Sequence, residues 1–432
     1  MPSVWQQNMQ MPRFPELEGS CRTRTLIIGG GMAGVLCAHM LARVGEDYLL
    51  VEADRLGGGI TQNTTAKITA QHGLIYDKLM CTAGEQTAGA YLQANQWAVE
   101  EYRSLCREID CDFAEKDNFV YDLTDRQAVE REVAALQRLG APAELRDSLP
   151  LPFPVAGAVC LHGQAQFHPL KFLAGISREL NIRENTKVRQ LLPGKAVTDK
   201  GEIRAERIIV ATHFPMLNKH GGYFLKLHQH RSYVLALQNA PDVDGMYVDG
   251  SKTGLSFRNY GELLLLGGGS HRTGKQGGGW QELEAFARKH YPQAVEAARW
   301  ATQDCMTLDG VPYVGRYGRG TEGLYVATGF NKWGMTSAMA AAKVLQELVR
   351  GREHPWQQVF SPQRSVFHPQ LAANAAQSAT GLLTPTGPRC PHMGCALKWN
   401  EQERTWDCPC HGSRFTEHGQ LIDNPATDDK QI

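Results

Sequence analysis

The chain has 432 residues, and its 45 Lys and Arg are balanced by 45 Asp and Glu, so its formal net charge is zero. A single hydrophobic core stops growing near ~250–300 residues, which predicts two or three folding units. The balanced charge offers no basic surface for nucleic acid or anionic membranes, and no apolar run approaches the ~20 residues that span a bilayer. We therefore expect neither a nucleic-acid partner nor membrane insertion.

Residues 1–20 form a polar, proline-containing arm without the apolar stretch of a secretory signal. Of the eleven cysteines, those outside the C-terminal region are scattered without the spacing of a disulfide framework. Isolated thiols of this kind are typical of the reducing cytosol, so we expect a cytoplasmic protein. These residues are Cys21, Cys37, Cys81, Cys106, Cys111, Cys160 and Cys305.

A glycine pattern follows the short apolar run Leu26–Ile28, which predicts a buried strand, and precedes an apolar helical segment. The pattern is G-x-G-x-x-G, the fingerprint of a nucleotide-binding turn between strand and helix. Gly29 allows the tight turn, Gly31 lets the backbone approach a pyrophosphate, and Gly34 permits close packing of helix on strand. A structural glycine turn is the alternative.

The next predicted strand, Tyr48–Val51, ends at Glu52, where an acid binds the ribose hydroxyls of a nucleotide. The chain then continues into a second glycine-rich loop, Gly57–Gly59, which is followed by Thr64-Thr65-Ala66-Lys67 and Gln71-His72-Gly73. With these motifs the chain resembles the Rieske-bearing branch of the D-amino acid oxidase/glycine oxidase superfamily of flavoproteins.

That resemblance implies an α/β fold in which a discontinuous Rossmann-like domain binds FAD. The FAD-binding domain would comprise about residues 21–75, 185–215 and 305–350 of an oxidoreductase unit spanning 21–360. An interleaved α+β substrate domain with an antiparallel sheet would take about residues 75–185 and 215–305.

A last strand–turn–helix is predicted where Gly323–Phe330 leads through Trp333-Gly334-Met335-Thr336 into an Ala-rich helix. By the resemblance, Gly329, Trp333, Gly334, Met335 and Thr336 contact FAD, and Lys67 contacts its phosphates or ring oxygens. No nucleophilic His or Cys lies between Gly57 and Lys67 or between Gly329 and Thr336, so we predict that the FAD is non-covalent.

Members of the superfamily oxidise C–H bonds next to an amine nitrogen, so the implied substrate is an amino acid or an N-alkylated amine. A substrate carboxylate is best bound by a bidentate Arg, for which Arg258 and Arg272 are the candidates. The alternative for both is an ordinary ion pair or surface contact. His72 is a candidate to face the flavin, with a purely structural histidine as the alternative.

Ala, Gln, Ser, Thr, Gly and Pro dominate the segment between Ser361 and Pro388, and its hydrophobic periodicity fades. We predict a linker over residues 361–389.

The C-terminal region contains Cys390-Pro391-His392 and Cys408-Pro409-Cys410-His411. Structural zinc sites usually pair like ligands, whereas here each half offers one thiolate and one imidazole. In this the chain resembles Rieske proteins, in which two Cys bind one iron of a [2Fe–2S] cluster and two His bind the other. The resemblance assigns Cys390 and Cys408 to the first iron and His392 and His411 to the second, with a zinc knuckle as the alternative.

The same resemblance implies a disulfide between Cys395 and Cys410, and a Ser413 hydroxyl that is hydrogen-bonded to a cluster sulfide. The module, residues 390–432, lacks the β-rich base that usually precedes the first ligand loop. Asp423-Asn424-Pro425-Ala426 replaces the usual Gly-Pro-Ala of the loop that shields the cluster. We therefore expect a truncated β-type module that rests on the flavin domain.

A flavin accepts two electrons, whereas a Rieske cluster accepts one at a time. The first hypothesis is an amine or amino-acid dehydrogenase whose electrons leave singly through the cluster to an external acceptor. The alternative is a protein that shuttles electrons between a redox carrier and another enzyme. Oxygen as direct acceptor is a third hypothesis.

Overall fold

The computed structural model describes residues 2–216, 220–251, 254–365, 367–385 and 387–430. Within these residues, no helix is both long enough and apolar enough to cross a membrane. The strands are β1 Cys21–Ile28, β2 Tyr48–Val51, β3 Lys67–Ile68, β4 Ala114–Asp122, β5 Ala143–Arg146, β6 Gly157–Gln166, β7 Ile182–Arg183, β8 Val188–Leu192, β9 Lys195–Thr198, β10 Glu202–Val210, β11 His228–Gln238, β12 Met246–Asp249, β13 Ser256–Tyr260, β14 Leu263–Arg272, β15 Val295–Met306, β16 Tyr313–Arg316, β17 Leu324–Thr328, β18 Lys398–Asn400, β19 Thr405–Asp407, β20 Arg414–Thr416 and β21 Leu421–Asp423.

The α-helices are α1 Met32–Arg43, α2 Tyr76–Ala83, α3 Glu85–Leu105, α4 Arg126–Arg138, α5 Pro169–Ser177, α6 Tyr223–Lys226, α7 Gly279–His290, α8 Gly334–Val349, α9 Gln357–Phe360 and α10 Pro369–Leu383. Two short 3₁₀ segments, Val4–Gln6 and Ile60–Asn63, accompany them.

The first sheet has the order β16-β17-β10-β1-β2-β7, and the β8–β9 hairpin is attached to β10. The core pairings, β17 with β10, β10 with β1, β1 with β2 and β2 with β7, are all parallel. Every residue of Thr25–Ile28 and of Tyr48–Val51 is buried, as expected for parallel strands that are covered on both faces. Helices α1 and α8 pack together beside this sheet. These observations confirm the predicted α/β nucleotide-binding architecture, whose strands come from three separate stretches of the chain.

The second sheet has the order β15-β11-β14-β13-β12-β4-β6-β3, and β5 is attached to β6. Its pairings are antiparallel except for β12 with β4. A continuous hydrophobic core joins elements of both sheets, and it includes Trp5 of the N-terminal arm and Trp300 of β15. The mixed fold class expected from the resemblance is therefore confirmed.

The C-terminal module contains a four-stranded antiparallel sheet, β18-β19-β20-β21, whose strands have three residues each. Its small core includes Leu397, Phe415 and Ala426. The sheet is too small to enclose a core by itself, which agrees with the truncated β-type module that the sequence predicts.

The segment 361–389, which the sequence predicts as a linker, contains the 15-residue helix α10. Its N-terminus is capped by His368, whose Nδ1 accepts from Gln370 N at 3.1 Å, with Pro369 at the first helical position. The helix consists mainly of small residues, so its hydrophobic periodicity is weak, and its buried residues are Asn374 and Gly381. A Cβ on Gly381 would lie 2.5 Å from Cys410 Sγ, so the end of α10 lies directly against the module.

Candidate functional site

A large cavity of about 1090 Å³ runs between the two sheets. Its lining includes the glycine turn after β1, the N-terminus of α8 and residues 423–427 of the C-terminal module. Cofactor and ligand pockets usually have volumes of ~300–1,000 Å³, so this cavity has room for a dinucleotide cofactor.

The glycine turn leaves no room for side chains at two positions. Gly29 has a φ of +111°, and a Cβ there would lie 2.6 Å from Ala211 O. A Cβ on Gly34 would lie 1.9 Å from Gly29 O, so only glycine lets α1 pack this closely on the turn. At Gly31 the nearest atom to an added Cβ is Thr61 Oγ1 at 3.4 Å, and Gly31 lines the cavity at the N-terminus of α1. This helix end offers unpaired N–H groups to an anion, which fits a pyrophosphate.

Glu52 lies at the end of β2 and lines the cavity. Its Oε2 accepts from Gly30 N at 2.6 Å, and its Oε1 accepts from Asp54 N at 3.0 Å. Burial raises the pKa of the Glu52 carboxyl, and these backbone N–H groups oppose the rise. The carboxylate is thus held in one orientation at the position predicted for ribose binding.

The loop before β3 is held by Arg258, which the structure places away from the cavity lining. Its guanidinium is buried, donates to Thr65 O at 2.7 Å and Ala66 O at 2.8 Å, and lies 5.3 Å from the ring of Trp5. Arg258 thus supports this loop through Nη1, and its predicted role in binding a substrate carboxylate stays a prediction, although the residue does not line the cavity. Lys67, which follows the loop, lines the cavity, and its pKa is lowered to about 7 by burial and by Arg258.

The N-terminus of α8 points into the cavity, which Trp333, Gly334 and Met335 line. His72 stacks on Trp333 with ring centroids 5.1 Å apart and planes 10° apart. Its Nδ1 accepts from Tyr91 Oη at 2.6 Å, and its Nε2 lies 3.0 Å from Thr69 O and 2.9 Å from Thr336 Oγ1.

Both nitrogens of His72 are thus occupied, and burial lowers its pKa to about 3, so the ring is neutral. It has no free nitrogen for proton transfer. His72 also lines the cavity, so its place facing the flavin stays a prediction, and its stacking holds the ring of Trp333 in position.

The predicted FAD-binding residues fall into two groups. Those that line the cavity are Gly29, Gly31, Glu52, Lys67, Trp333, Gly334 and Met335, whereas Gly34, Gly329 and Thr336 lie behind them and shape the turns. Gly329, for example, has a φ of +74°, and a Cβ there would lie 2.3 Å from Thr307 Cγ2.

A polar wall of the cavity consists of residues that the sequence did not single out. Lys332 has a φ of +72°, and its Nζ donates to Ser270 Oγ at 3.1 Å. Ser270 Oγ lies 3.1 Å from Ser232 Oγ, which lies 3.5 Å from Asp304 Oδ2. Burial lowers the pKa of Lys332 and raises that of Asp304, while the opposite charge of each counteracts the shift of the other.

Two histidines of β11 line the same cavity. His228 and His230 are two residues apart on the strand and face the same side, and their ring centroids are 5.1 Å apart. Burial lowers the pKa of each to about 3. In the sequence, the pattern His-x-His-x-Ser indicates that these polar side chains lie together, because residues two apart on a strand share a face.

Arg272 lines the cavity, but its guanidinium is bound to the C-terminal part of the chain. Its Nε and Nη2 donate to Pro409 O and Cys410 O at 3.2 Å each, and its Nη1 donates to Asn374 Oδ1 at 2.9 Å. Arg272 thus fastens the second ligand loop of the module to β14, and its role in binding a substrate carboxylate stays a prediction.

Other side chains of the oxidoreductase unit fasten the same module. Gln229 Nε2 donates to His411 O at 2.9 Å and Asn424 O at 3.0 Å. Gln303 Nε2 donates to Gly412 O at 2.8 Å. These hydrogen bonds attach the module to the predicted substrate domain, and Asn424 Nδ2, which donates to Phe214 O at 2.9 Å, attaches it to the predicted FAD-binding domain as well.

The two predicted histidine ligands lie beside each other, and so do the two predicted cysteine ligands. The ring centroids of His392 and His411 are 4.9 Å apart with planes at 84°. Cys390 and Cys408 are both buried. Hydrogen bonds from the Cys408 thiol, the backbone N–H of His392 and the Ser413 hydroxyl lower the pKa of the Cys390 thiol to about 7, although burial raises it.

The ligand loops are joined by the predicted disulfide, which the structure contains between Cys395 and Cys410. Ser413, predicted to hydrogen-bond a cluster sulfide, is fully buried, and its Oγ accepts from Ala426 N at 3.0 Å.

Aromatic side chains of the oxidoreductase unit cover the histidines. The ring centroid of Phe214 lies 6.4 Å from that of His392 and 6.3 Å from that of His411. The ring centroid of Phe224 lies 6.3 Å from that of His411. Only 1% of His411 is exposed, and neither of its ring nitrogens has a hydrogen-bond partner among the described residues. A buried imidazole left without polar partners fits a metal ligand, and two thiols with two imidazoles fit a [2Fe–2S] centre.

Comparisons with known proteins agree with this geometry. The family model for the FAD dependent oxidoreductase matches residues 24–348, and the model for the Rieske [2Fe-2S] domain matches residues 365–431. YhfW of Bacillus subtilis (strain 168), a protein named for a Rieske 2Fe-2S iron-sulfur centre, is 31% identical over 487 residues, which cover 98% of this chain and 96% of YhfW.

Two further proteins are similar to the oxidoreductase part. Gamma-glutamylputrescine oxidoreductase of Escherichia coli (strain K12) is 24% identical over 373 residues, 78% of this chain and 86% of that protein. The crystal structure of glycine oxidase from Geobacillus kaustophilus superposes with a TM-score of 0.67 at 20% identity, over 80% of this chain and 99% of that one. This second likeness shows a shared fold.

Proposed function

Because the chain belongs to the FAD-dependent oxidoreductase family and carries a C-terminal Rieske [2Fe–2S] domain, we propose that it is a dehydrogenase for an amino acid or N-alkylated amine. The substrate is oxidised at its C–N bond, and the electrons reach an external acceptor one at a time. Bound FAD supplies two-electron acceptance, and the cluster supplies one-electron transfer.

The observation that carries this proposal is the extent of the cavity. Besides the predicted FAD-contacting residues, its lining includes the polar side chains of β11, β14 and β15 and residues 423–427. A protein that only shuttles electrons needs no such chamber, whereas an enzyme needs one for its substrate. The two similar proteins named for amine and amino-acid oxidation support the substrate class.

Residues of the chain have distinct parts in this proposal. Lys332 binds the anionic end of the substrate, Ser270 orients the substrate nitrogen, and the charge of Asp304 favours the protonated form of Lys332. Trp333, fixed by stacking on His72, forms an apolar wall beside the helix end. The Phe214 and Phe224 rings keep water from the histidine side of the cluster site.

Anaerobic addition of amino acids and N-alkylated amines to the purified holoprotein tests the proposal. We expect at least one compound to bleach the flavin absorbance and to support turnover with a one-electron acceptor. If none bleaches the flavin while a reduced electron carrier does, the enzyme proposal is wrong and the shuttle hypothesis replaces it.

We also place the protein in the cytoplasm. Apart from the cluster ligands and the disulfide, its cysteines are free thiols, and Cys37, Cys111 and Cys305 are buried. Thiols left unpaired throughout a chain of this length support a reducing compartment.

Replacing Lys332 with methionine is expected to weaken binding of a carboxylate substrate. Loss of a hydrogen bond to a charged group costs ~1.5–3 kcal/mol, which corresponds to a rise in KM of about 10- to 100-fold. The maximal rate should change less, because the contact is made in both ground and transition states. Steady-state kinetics with an amino acid and with its decarboxylated amine measure the effect.

Lys275→Met is the matched control, since Lys275 is exposed outside the cavity. It should leave both parameters unchanged. An equal loss of activity on the amino acid and on the amine in Lys332→Met would contradict the carboxylate contact.

A further inference from the structure

A second group of metal-binding side chains lies outside the cavity, on the sheet formed by β4, β5 and β6. It comprises Asp117, Cys160 and His162, with Glu144 beside them. None of these residues lines the cavity or belongs to the C-terminal module. The proposed redox function therefore does not account for them.

Strand pairing brings these residues to one face. Cys160 and His162 are two residues apart on β6 and share a side of the sheet. Glu144 on β5 is paired directly with Cys160. On β4 the register with β6 shifts between Lys116 and Asn118, so Asp117 occupies an irregularity of the strand. Such bulges re-aim a side chain, and here the Asp117 carboxylate reaches His162.

The donor atoms are close enough to surround one ion. His162 Nδ1 lies 2.8 Å from Asp117 Oδ2, and Cys160 Sγ lies 3.9 Å from the same nitrogen. The three donor atoms all lie within 4.8 Å of one another. Zinc bonds of 2.0–2.3 Å in a tetrahedron place donor atoms ~3.3–3.8 Å apart, so shifts of well under ~1 Å would complete the site.

We propose that Asp117, Cys160 and His162 form a binding site for a divalent transition metal of the zinc class. One thiolate, one imidazole and one carboxylate are ligands that Zn²⁺ accepts, with a fourth position left for water. Glu144 is not one of the proposed metal ligands. Its Oε1 lies 3.3 Å from the other ring nitrogen, His162 Nε2. A carboxylate in that position receives the Nε2–H and fixes the tautomer in which Nδ1 binds the metal.

Charge balance also favours a cation at this place. Two carboxylates, Asp117 and Glu144, raise the pKa of the His162 imidazole, and Arg146 lies 2.7 Å from Glu144; a metal would replace the proton on His162 Nδ1 as the partner of Asp117. Binding would release the Cys160 thiol proton to solvent as the metal–sulfur bond forms. The metal would link β4 to β6 and, through Glu144, to β5, which is paired with β6 alone.

The test is zinc retention by the holoprotein. Protein with its iron and FAD in place is incubated with Zn²⁺, passed through a desalting column, and analysed for zinc and iron by mass spectrometry. We expect about one zinc per chain in the wild type and none in Cys160→Ser or His162→Asn, with iron and FAD unchanged in all three. Glu144→Gln should retain the site with about 10- to 100-fold weaker affinity.

Cys81→Ser is the control, because Cys81 is an exposed thiol on α2. It should retain zinc like the wild type, and zinc should protect Cys160 but not Cys81 from alkylation. Equal zinc in the wild type and Cys160→Ser would overturn the proposal, as would zinc that appears only when iron is lost. Because the readout is metal content, the result is independent of whether an amine is the substrate.

Discussion

His411→Ala is expected to abolish turnover with one-electron acceptors while substrate still bleaches the flavin. His411 is buried beneath Phe214 and Phe224, and neither of its ring nitrogens has a hydrogen-bond partner in the described residues. Alanine removes one of four predicted ligands without touching the FAD-binding turn. We expect loss of the bound iron and a fall in turnover of at least ~100-fold, equivalent to ~2.7 kcal/mol in the barrier.

The measurement pairs anaerobic flavin reduction with steady-state reduction of a one-electron dye. His418→Ala is the control, since the side chain of His418 in the same module is 82% exposed and should be dispensable. Dye reduction at wild-type rates in His411→Ala would contradict the proposed exit of electrons. Peroxide production that persists in the variant would support oxygen as the direct acceptor.

The nucleotide end was predictable because its constraints are local. Gly29 is required by its φ of +111° and Gly34 by Gly29 O in the same turn, so a short motif defines both the strand end and the helix start. The strand Tyr48–Val51 was predicted with the bounds that the structure has. The disulfide between Cys395 and Cys410 was implied by the Rieske resemblance, which covers both ligand loops.

The roles of the arginines were not predictable, because they depend on which surfaces meet in three dimensions. Arg272 is a residue of β14 whose partners, Cys410 and Asn374, are more than a hundred positions away in sequence. Lys332 was missed because a single lysine in a turn has no periodic signal. Helix α10 was missed because its small residues form no apolar stripe, and its buried residues are only Asn374 and Gly381.

The departures of the module from the usual Rieske pattern have a physical explanation in the docked arrangement. Asn424 replaces a residue of the usual shielding loop, and its Nδ2 donates to Thr212 O and to Phe214 O, the latter at 2.9 Å. These hydrogen bonds attach the shielding loop of the module to the backbone that follows β10. Phe214 and Gln229 of the oxidoreductase unit cover the predicted cluster site where the module has no base of its own. The oxidoreductase unit and the module therefore enclose this site together.

A buried ion network at the same interface explains how a small module stays docked. Glu403 accepts from Arg231 Nε at 2.8 Å and Tyr233 Oη at 3.0 Å through Oε1, and from Arg414 Nη2 at 2.8 Å through Oε2. The side chains of Glu403, Arg231 and Arg414 are only 9%, 6% and 3% exposed. Burial would raise the pKa of Glu403, but Arg414 and Arg231 outweigh it and lower the pKa from 4.5 to about 2.

Glu403→Gln is therefore expected to destabilise docking of the module by ~3–5 kcal/mol, because it leaves buried guanidinium charge uncompensated. Since the pKa in the folded protein is depressed, the stabilisation by Glu403 is complete above pH ~4.5 and is lost as the pH falls toward about 2. Midpoints of thermal loss of the cluster absorbance, measured from pH 7 downward, should differ most between wild type and variant above pH ~5 and converge in acid. Glu417→Gln, which breaks the exposed pair with Arg404, should cost at most ~1 kcal/mol. A difference between Glu403→Gln and wild type that stayed constant across this range would mean that the charge of Glu403 does not hold the module in place.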